Sequence, residues 1–161
     1  MRDAIILRTT DGGVTWKSIT RSGGGALRYC DLYAVSLTDA NTGIAVSSSD
    51  DLGYPGIILR TTDGGATWTE QFANGPRQIG AWLGLDFTGV DLISVSFSDA
   101  NTGTVVGSGG TILRTTDGGV TWTKQSSGTT NDLWGVFFTD ANTGTVVGSD
   151  GTILRTTAGG K

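Results

Sequence analysis

The chain lacks the residues on which most enzyme and metal sites depend. It has no histidine, a single cysteine (Cys30) and a single glutamate (Glu70) among its 161 residues. Without histidine, the commonest general base and the commonest metal ligand are missing. A lone cysteine forms no intrachain disulfide and no cysteine pair for zinc. We therefore expect no metal site and no cofactor, and any hydrolytic chemistry would have to rest on aspartates.

Positive charge and long apolar runs are also scarce. The net charge is −4, which offers no basic surface for nucleic acid. The longest apolar run, Ala4–Leu7, is too short to span a bilayer, and the N-terminus lacks the apolar segment of a signal peptide. We expect neither a nucleic-acid partner nor a membrane span.

Glycine is abundant, and two phrases repeat. An eleven-residue phrase occupies Ile6–Trp16, Ile58–Trp68 and Ile112–Trp122, and a fourth copy from Ile153 has Ala158 in place of its aspartate and no tryptophan. A second phrase, Asp-Ala-Asn-Thr-Gly, alternates with it at 39–43, 99–103 and 140–144. Repeats of this period are typical of one supersecondary unit stacked on its neighbours.

Each repeat predicts four short strands. Apolar stretches such as 133–138 (strand a), 145–148 (b) and 152–156 (c) are separated by Asp, Asn and Gly, which favour turns. The residues after an intact Asp-Gly-Gly, as in 120–125, form the fourth strand, d. Four antiparallel strands without helices are a β-propeller blade. The predicted fold class is therefore all-β.

The chain reads c-d, a-b-c-d, a-b-c-d, a-b-c, which is thirteen strands. Closed propellers have about four to eight blades, so we expect an incomplete ring of about three blades plus part of another. It would belong to a longer chain or close with copies of itself; two copies would make about six blades, with the leading c strand left over. The predicted single array over 1–161 divides into a partial blade 1–20, blades 32–72 and 92–126, and a partial blade 133–161.

The repeats differ in length at two connections. We measured the spacing from the aspartate of the Asp-Ala-Asn-Thr-Gly phrase to the aspartate position of the next eleven-residue phrase. It is 18 residues in two copies (99 to 117, 140 to 158) but 24 in the other (39 to 63). The extra residues fall in the d-to-a and b-to-c connections, at 20–31, 47–56 and 70–91, which emerge on one face of an up-and-down blade. Insertions on one face are typical of a binding face.

The pattern Thr9-x-Asp11-x-Gly13-x-Thr15-Trp16, matched at 61–68 and 115–122, resembles the Asp-box, or bacterial neuraminidase repeat, class of propellers. Together with the Asp-Ala-Asn-Thr-Gly phrase it is similar to the photosystem II stability and assembly factor family. The resemblance implies an exported, commonly seven-bladed propeller that acts as a binding scaffold. It suggests an extracytoplasmic location, although no signal peptide is visible here.

We interpret the repeated side chains as architectural. Each box aspartate would accept backbone N–H bonds in its own turn, and each box tryptophan would pack beneath it. These residues are Asp11, Trp16, Asp63, Trp68, Asp117 and Trp122. One arginine recurs at the same position of every strand c: Arg8, Arg60, Arg114 and Arg155. These arginines could form a binding patch, or each could pair with an aspartate of its own or the next blade. We favour the pairing with aspartates, because a packing role predicts that the residue repeats in every blade.

The insertions hold the candidate binding residues because they do not repeat and contain the residue types of binding hot spots. The candidates are Arg21, Arg28, Tyr29, Asp50, Asp51, Tyr54, Arg77, Trp82 and Asp86. Solvated loops or an extra hairpin remain the alternative.

The sequence thus favours a non-catalytic scaffold that binds a protein or glycan through the insertion-bearing face. A carbohydrate-active enzyme is a second hypothesis, but Asp50, Asp51, Asp86 and Asp91 are the only plausible non-repeat acids for it, and they form no matched pair. A self-assembling subunit that closes a propeller by oligomerisation is the third.

Overall fold

Thirteen β-strands make up the fold of the described residues. The structure, a computed structural model, describes residues 5–19, 31–48, 56–71 and 90–160. The strands are β1 (Ile6–Arg8), β2 (Lys17–Ile19), β3 (Leu32–Leu37), β4 (Gly43–Ser47), β5 (Ile58–Thr61), β6 (Thr69–Glu70), β7 (Leu92–Phe97), β8 (Gly103–Gly107), β9 (Thr111–Thr115), β10 (Thr123–Gln125), β11 (Leu133–Phe138), β12 (Gly144–Gly148) and β13 (Ile153–Thr156). Short 3₁₀ turns lie at Ser108–Gly110 and Ser149–Gly151.

The strands form four antiparallel sheets in which chain neighbours pair. The first sheet contains β1 and β2, the second β3 to β6, the third β7 to β10 and the fourth β11 to β13. In blade terms these sheets are c-d, a-b-c-d, a-b-c-d and a-b-c. The predicted all-β class, with partial propeller blades, is confirmed. No helix in the described ranges is long and apolar enough to cross a membrane.

The core lies between successive sheets. Ile44 and Val46 of the second sheet pack with Val95, Leu113 and Trp122 of the third in one buried cluster. Corresponding clusters join the first sheet to the second and the third to the fourth. Because strand residues alternate between the two faces, one set faces the preceding sheet and the other the following sheet.

Adjacent glycines close the turn between strands c and d. Gly64 and Gly65 have φ values of 69° and 85°, and Gly118 and Gly119 have 71° and 86°. These left-handed conformations are strained for residues with a Cβ, which explains why the phrase contains two glycines. A Cβ on Gly119 would also lie 2.7 Å from Ile44 Cδ1 of the preceding sheet, so this turn packs directly against its neighbour.

Candidate functional site

The Asp-box turn is a closed set of short-range hydrogen bonds. Thr61 Oγ1 donates to Asp63 Oδ1 (2.8 Å) and accepts from the Gly65 N–H (2.8 Å). Asp63 also accepts from the backbone N–H and the hydroxyl of Thr67, at 2.8 and 2.6 Å. The turns around Asp11 and Asp117 contain the same bonds.

These bonds hold the box carboxylates in the ionised form. The Thr67 hydroxyl, followed by its backbone N–H, lowers the pKa of Asp63 to about 2. The equivalent Thr15 groups lower the pKa of Asp11 to about 2. Burial raises the pKa of Asp117, but bonds from Thr121 and Thr115 outweigh it and bring the value to about 2. A general acid for glycoside hydrolysis needs a raised pKa, so these carboxylates are unsuited to that role.

The lowered values predict acid sensitivity. A carboxyl group whose folded-state pKa lies below its ordinary value of 3.8 stabilises the fold above that value and loses its contribution as the pH falls towards about 2. We expect the Tm to be nearly flat above about pH 5 and to drop between about pH 4 and 2. The double variant Asp63→Asn/Asp117→Asn should have a lower Tm than the parent chain at pH 7. Its Tm should also fall less than that of the parent between about pH 4 and 2.

Thermal unfolding followed by circular dichroism across this pH range checks the prediction. The same series in 1 M salt is the control, because short-range hydrogen bonds persist where long-range charge effects are screened. A variant as acid-sensitive as the parent chain would show that other groups control the transition.

The box tryptophans pack differently at the first sheet than in the others. Trp68 and Trp122 are buried, and each donates its Nε1–H to a box carbonyl, Gly65 O and Gly119 O, at 3.2 Å. Trp16 instead is 58% exposed, contrary to its predicted role as a packed anchor. Trp68 packs with Ile6 of the preceding sheet and Trp122 with Ile44 of the preceding sheet, whereas no sheet in the described ranges precedes the first one to cover Trp16.

The Asp-Ala-Asn phrases form compact turns that contact the boxes. Asp99 Oδ1 accepts from the N–H groups of Asn101 and Thr102, both at 2.8 Å, and these bonds lower its pKa against the opposing effect of burial. The Asn101 carbonyl accepts from the Gly118 N–H at 2.8 Å. Equivalent bonds join Gly64 to Asn41 and Gly159 to Asn142. Both repeated phrases therefore lie on the same side of each blade, which we call the box side.

The in-register arginines of strand c connect successive sheets. Arg60 Nε donates to Gly118 O at 2.9 Å. Arg114 donates to Ala141 O and to Thr104 Oγ1, and its guanidinium lies 5.4 Å from the Phe138 ring centroid. The hydrogen bonds of Arg60 and Arg114 therefore reach backbone carbonyls of the next blade, and the pairing with aspartates that we favoured is represented at Arg114 only by the charge of Asp99 in its own blade. Burial lowers the pKa of Arg114, and the charge of Asp99 opposes this.

The other ends of the strands form the opposite side, which we call the connection side. Here the Ser48 N–H donates to Asp31 O and the Gly56 N–H donates to Val90 O, both at 2.9 Å. These residues flank the segments 20–30, 49–55 and 72–89. All nine candidate binding residues lie outside the described residues: Arg21, Arg28, Tyr29, Asp50, Asp51, Tyr54, Arg77, Trp82 and Asp86.

Sequence reasoning missed a pair of serines that join the third and fourth sheets. Ser94 Oγ accepts from the Val136 N–H at 3.3 Å, and Ser96 Oγ accepts from the Phe138 N–H at 3.1 Å. These serines alternate with apolar residues in strand β7, and this alternation was the sequence signal that could have indicated their position facing the next sheet. The described ranges contain no group of three or more acidic or cysteine side chains placed to hold a metal ion.

Comparisons with solved structures reveal propellers of the same type. YCF48 bound to a D1 peptide aligns with a TM-score of 0.63 and 26% identity over 81% of this chain. YCF48 from Cyanidioschyzon merolae aligns with a TM-score of 0.62 and 26% identity over 80%. This chain covers 38% and 37% of those two proteins.

A more distant likeness shows the fold alone. The GH74 enzyme of Niastella koreensis aligns with a TM-score of 0.56 and 21% identity, over 80% of this chain and 21% of the enzyme. No curated protein matches the chain. The family model described as photosynthesis system II assembly factor YCF48 matches residues 77–161, which is more than half of the sequence. With Asp-box blades in its fold and this match in its sequence, the chain belongs to the photosystem II assembly factor YCF48 family.

Proposed function

We propose that this chain is a non-catalytic scaffold that binds a peptide segment of a client protein through its inserted segments. The observation that carries the proposal is the structural relative solved with a D1 peptide bound, which demonstrates peptide binding by a propeller of this family. A peptide client is also consistent with the Tyr, Trp and Arg content of the insertions, because these residue types dominate protein-binding hot spots.

The hydrogen bonds on the box side support placing the proposed peptide-binding site on the connection side. Asp63 and Asp99 have carboxylates occupied by bonds within their own turns. Arg60 and Arg114 are occupied by carbonyls of the next blade. Side chains already committed to the architecture contribute little to a ligand. The non-repeating insertions are flanked by Asp31, Ser48, Gly56 and Val90, whose backbone groups meet on the connection side.

The experiment is a titration of the fluorescently labelled D1 peptide with the 161-residue chain. We expect saturable binding that the double variant Arg77→Ala/Trp82→Ala weakens at least about tenfold, the effect of losing one hot spot. Arg155→Ala, which removes the same charge from an exposed position on strand β13, is the matched control and should bind like the parent. Unchanged binding by a folded double variant would contradict the proposed site.

The proposal that the chain is not an enzyme can be tested by a glycan-hydrolysis assay. If the chain hydrolysed a glycan and lost that activity when Asp50, Asp51, Asp86 or Asp91 was changed to asparagine, it would be a carbohydrate-active enzyme. The likeness to the GH74 enzyme concerns the fold and does not supply an acid pair.

A further inference from the structure

Strand a begins with the same short motif in the second, third and fourth sheets. The motif reads Asp-Leu-x and occurs at 31–33, 91–93 and 132–134, at the starts of β3, β7 and β11. The carbonyl of each aspartate accepts the N–H of a serine that follows or ends strand b, at 2.8 to 3.0 Å, and these serines are Ser48, Ser108 and Ser149. The motif therefore lies on the connection side of all three blades.

The third residue of each motif is a β-bulge. Between Leu32 and Ala34, the pairing of β3 with strand b skips Tyr33. The same irregularity skips Ile93 in β7 and Trp134 in β11. A bulge releases its extra residue from the alternation of strand faces, and bulges are common where a strand aims a side chain at a functional site.

The three bulge side chains are apolar and reach solvent. Tyr33 is 52% exposed and Trp134 is 54% exposed. Ile93 is partly exposed although the third sheet has a sheet on each side. Among the described residues, the buried clusters contain the leucine of each motif but none of the three bulge residues. Solvent contact at this position is therefore a property of the bulge itself.

The bulges lie side by side. Strand a is an edge strand in each of the three sheets, and β7 lies between β3 and β11. Tyr33, Ile93 and Trp134 thus follow one another along the edge at which these sheets meet, and we call them the bulge arc. Apolar groups clustered at solvent mark interaction surfaces.

The charge beside the bulge arc is negative. Asp31, Asp91 and Asp132 begin the three motifs, and Asp132 Oδ1 accepts the Gly109 N–H of the preceding blade at 2.9 Å. The segments 20–30, 49–55 and 72–89 add no net charge, because their three arginines balance their three aspartates: Arg21, Arg28 and Arg77 against Asp50, Asp51 and Asp86. Charge complementarity therefore favours a partner that carries cations.

We propose that the bulge arc and its three aspartates bind an extended client segment that carries apolar side chains together with lysine or arginine. The apolar side chains lie on the bulge arc, and the cations pair with the aspartates and approach the rings of Tyr33 and Trp134. The inference rests on the proposed function in placing the client on the connection side, and it adds the chemistry of the bound segment. A peptide fits this arc better than a glycan, because Ile93 at its centre has no ring face on which a sugar could stack.

The test is a fluorescence titration of the 161-residue chain into a labelled peptide of repeated Phe-Lys-Gly. Two comparison peptides have glutamate in place of lysine or serine in place of phenylalanine. We expect saturable binding of the first peptide, at least about tenfold tighter than of the other two. The double variant Tyr33→Ser/Trp134→Ser should weaken it at least about tenfold. Val120→Ser, at a 56% exposed position of a box turn, is the matched control and should bind like the parent.

A charge variant keeps the proposal testable if the double variant folds poorly. Asp31 is exposed, and Asp31→Lys should weaken binding of the Phe-Lys-Gly peptide at least about threefold. The proposal is overturned by no binding, by equal affinity for the three peptides, or by parent-like binding in folded arc variants. Tighter binding of a labelled chitooligosaccharide that the double variant loses would also overturn it, in favour of a glycan.

The D1 peptide titration reports separately on the proposed function. If the D1 peptide depends on Arg77 and Trp82 while the Phe-Lys-Gly peptide ignores the bulge arc, the proposed function stands and this inference fails. If the D1 peptide does not bind while the Phe-Lys-Gly peptide depends on Tyr33 and Trp134, the inference stands and the proposed site in the insertions fails.

Discussion

A Trp122→Ala variant should lose about 3–5 kcal/mol of unfolding free energy, the usual cost of removing a buried tryptophan. Trp122 is 3% exposed and packs with Ile44, Val95 and Leu113 from two sheets. Its ring meets Phe97 edge to face, with centroids 6.3 Å apart, and its Nε1–H donates to Gly119 O. Removal would open a cavity between the second and third sheets and leave a carbonyl unpaired. Chemical denaturation at one fixed protein concentration measures the loss.

The control for this prediction lies in the same turn. Val120 is 56% exposed, and Val120→Ala should change the unfolding free energy by less than about 0.5 kcal/mol. If both variants lost the same amount, the box tryptophan would not be the anchor between sheets.

An Arg114→Ala variant should lose about 2–3 kcal/mol, because it removes charge-assisted hydrogen bonds and a cation–π contact. Arg114 donates across the junction to Ala141 O, and its guanidinium lies over Phe138. The loss should concentrate between the third and fourth sheets. Hydrogen exchange should therefore become faster in β11 and β12 than in β4 and β5.

Arg155 provides a matched control for Arg114. It occupies the same position of strand c, opposite Thr145 as Arg114 is opposite Thr104, but it is exposed. We expect Arg155→Ala to shift the unfolding free energy by less than about 0.5 kcal/mol. Equal losses at the two positions would mean that the arginine acts within its own sheet and not on the next blade.

The fold could be predicted from sequence because the information is local and repeated. The Asp-Gly-Gly and Asp-Ala-Asn phrases define the turns, and the alternation of apolar residues between them defines the strands. Four occurrences of Ile-Leu-Arg-Thr-Thr then fix the phase of the blades. Each level of the pattern supports the same architecture, which is why the fold class is confirmed.

What sequence reasoning missed depends on contacts between blades. In the next blade, Arg60 and Arg114 donate to backbone carbonyls, which every residue has and no side-chain pattern reveals. The exposure of Trp16 depends on which strands lie beside it, although its phrase is identical in type to that of Trp122. The candidate binding residues in the insertions have no repeat to define them, so their site stays a prediction.

The division of roles between repeat and insertion is tested most directly by one calorimetric comparison. The D1 peptide is titrated into the folded variants Asp63→Asn and Arg77→Ala/Trp82→Ala under identical conditions. If the repeat is architectural and the insertions bind, the box variant keeps the parent Kd within about twofold while the insertion variant binds at least about tenfold more weakly. Loss of binding in the box variant, with parent-like binding in the insertion variant, would contradict this assignment.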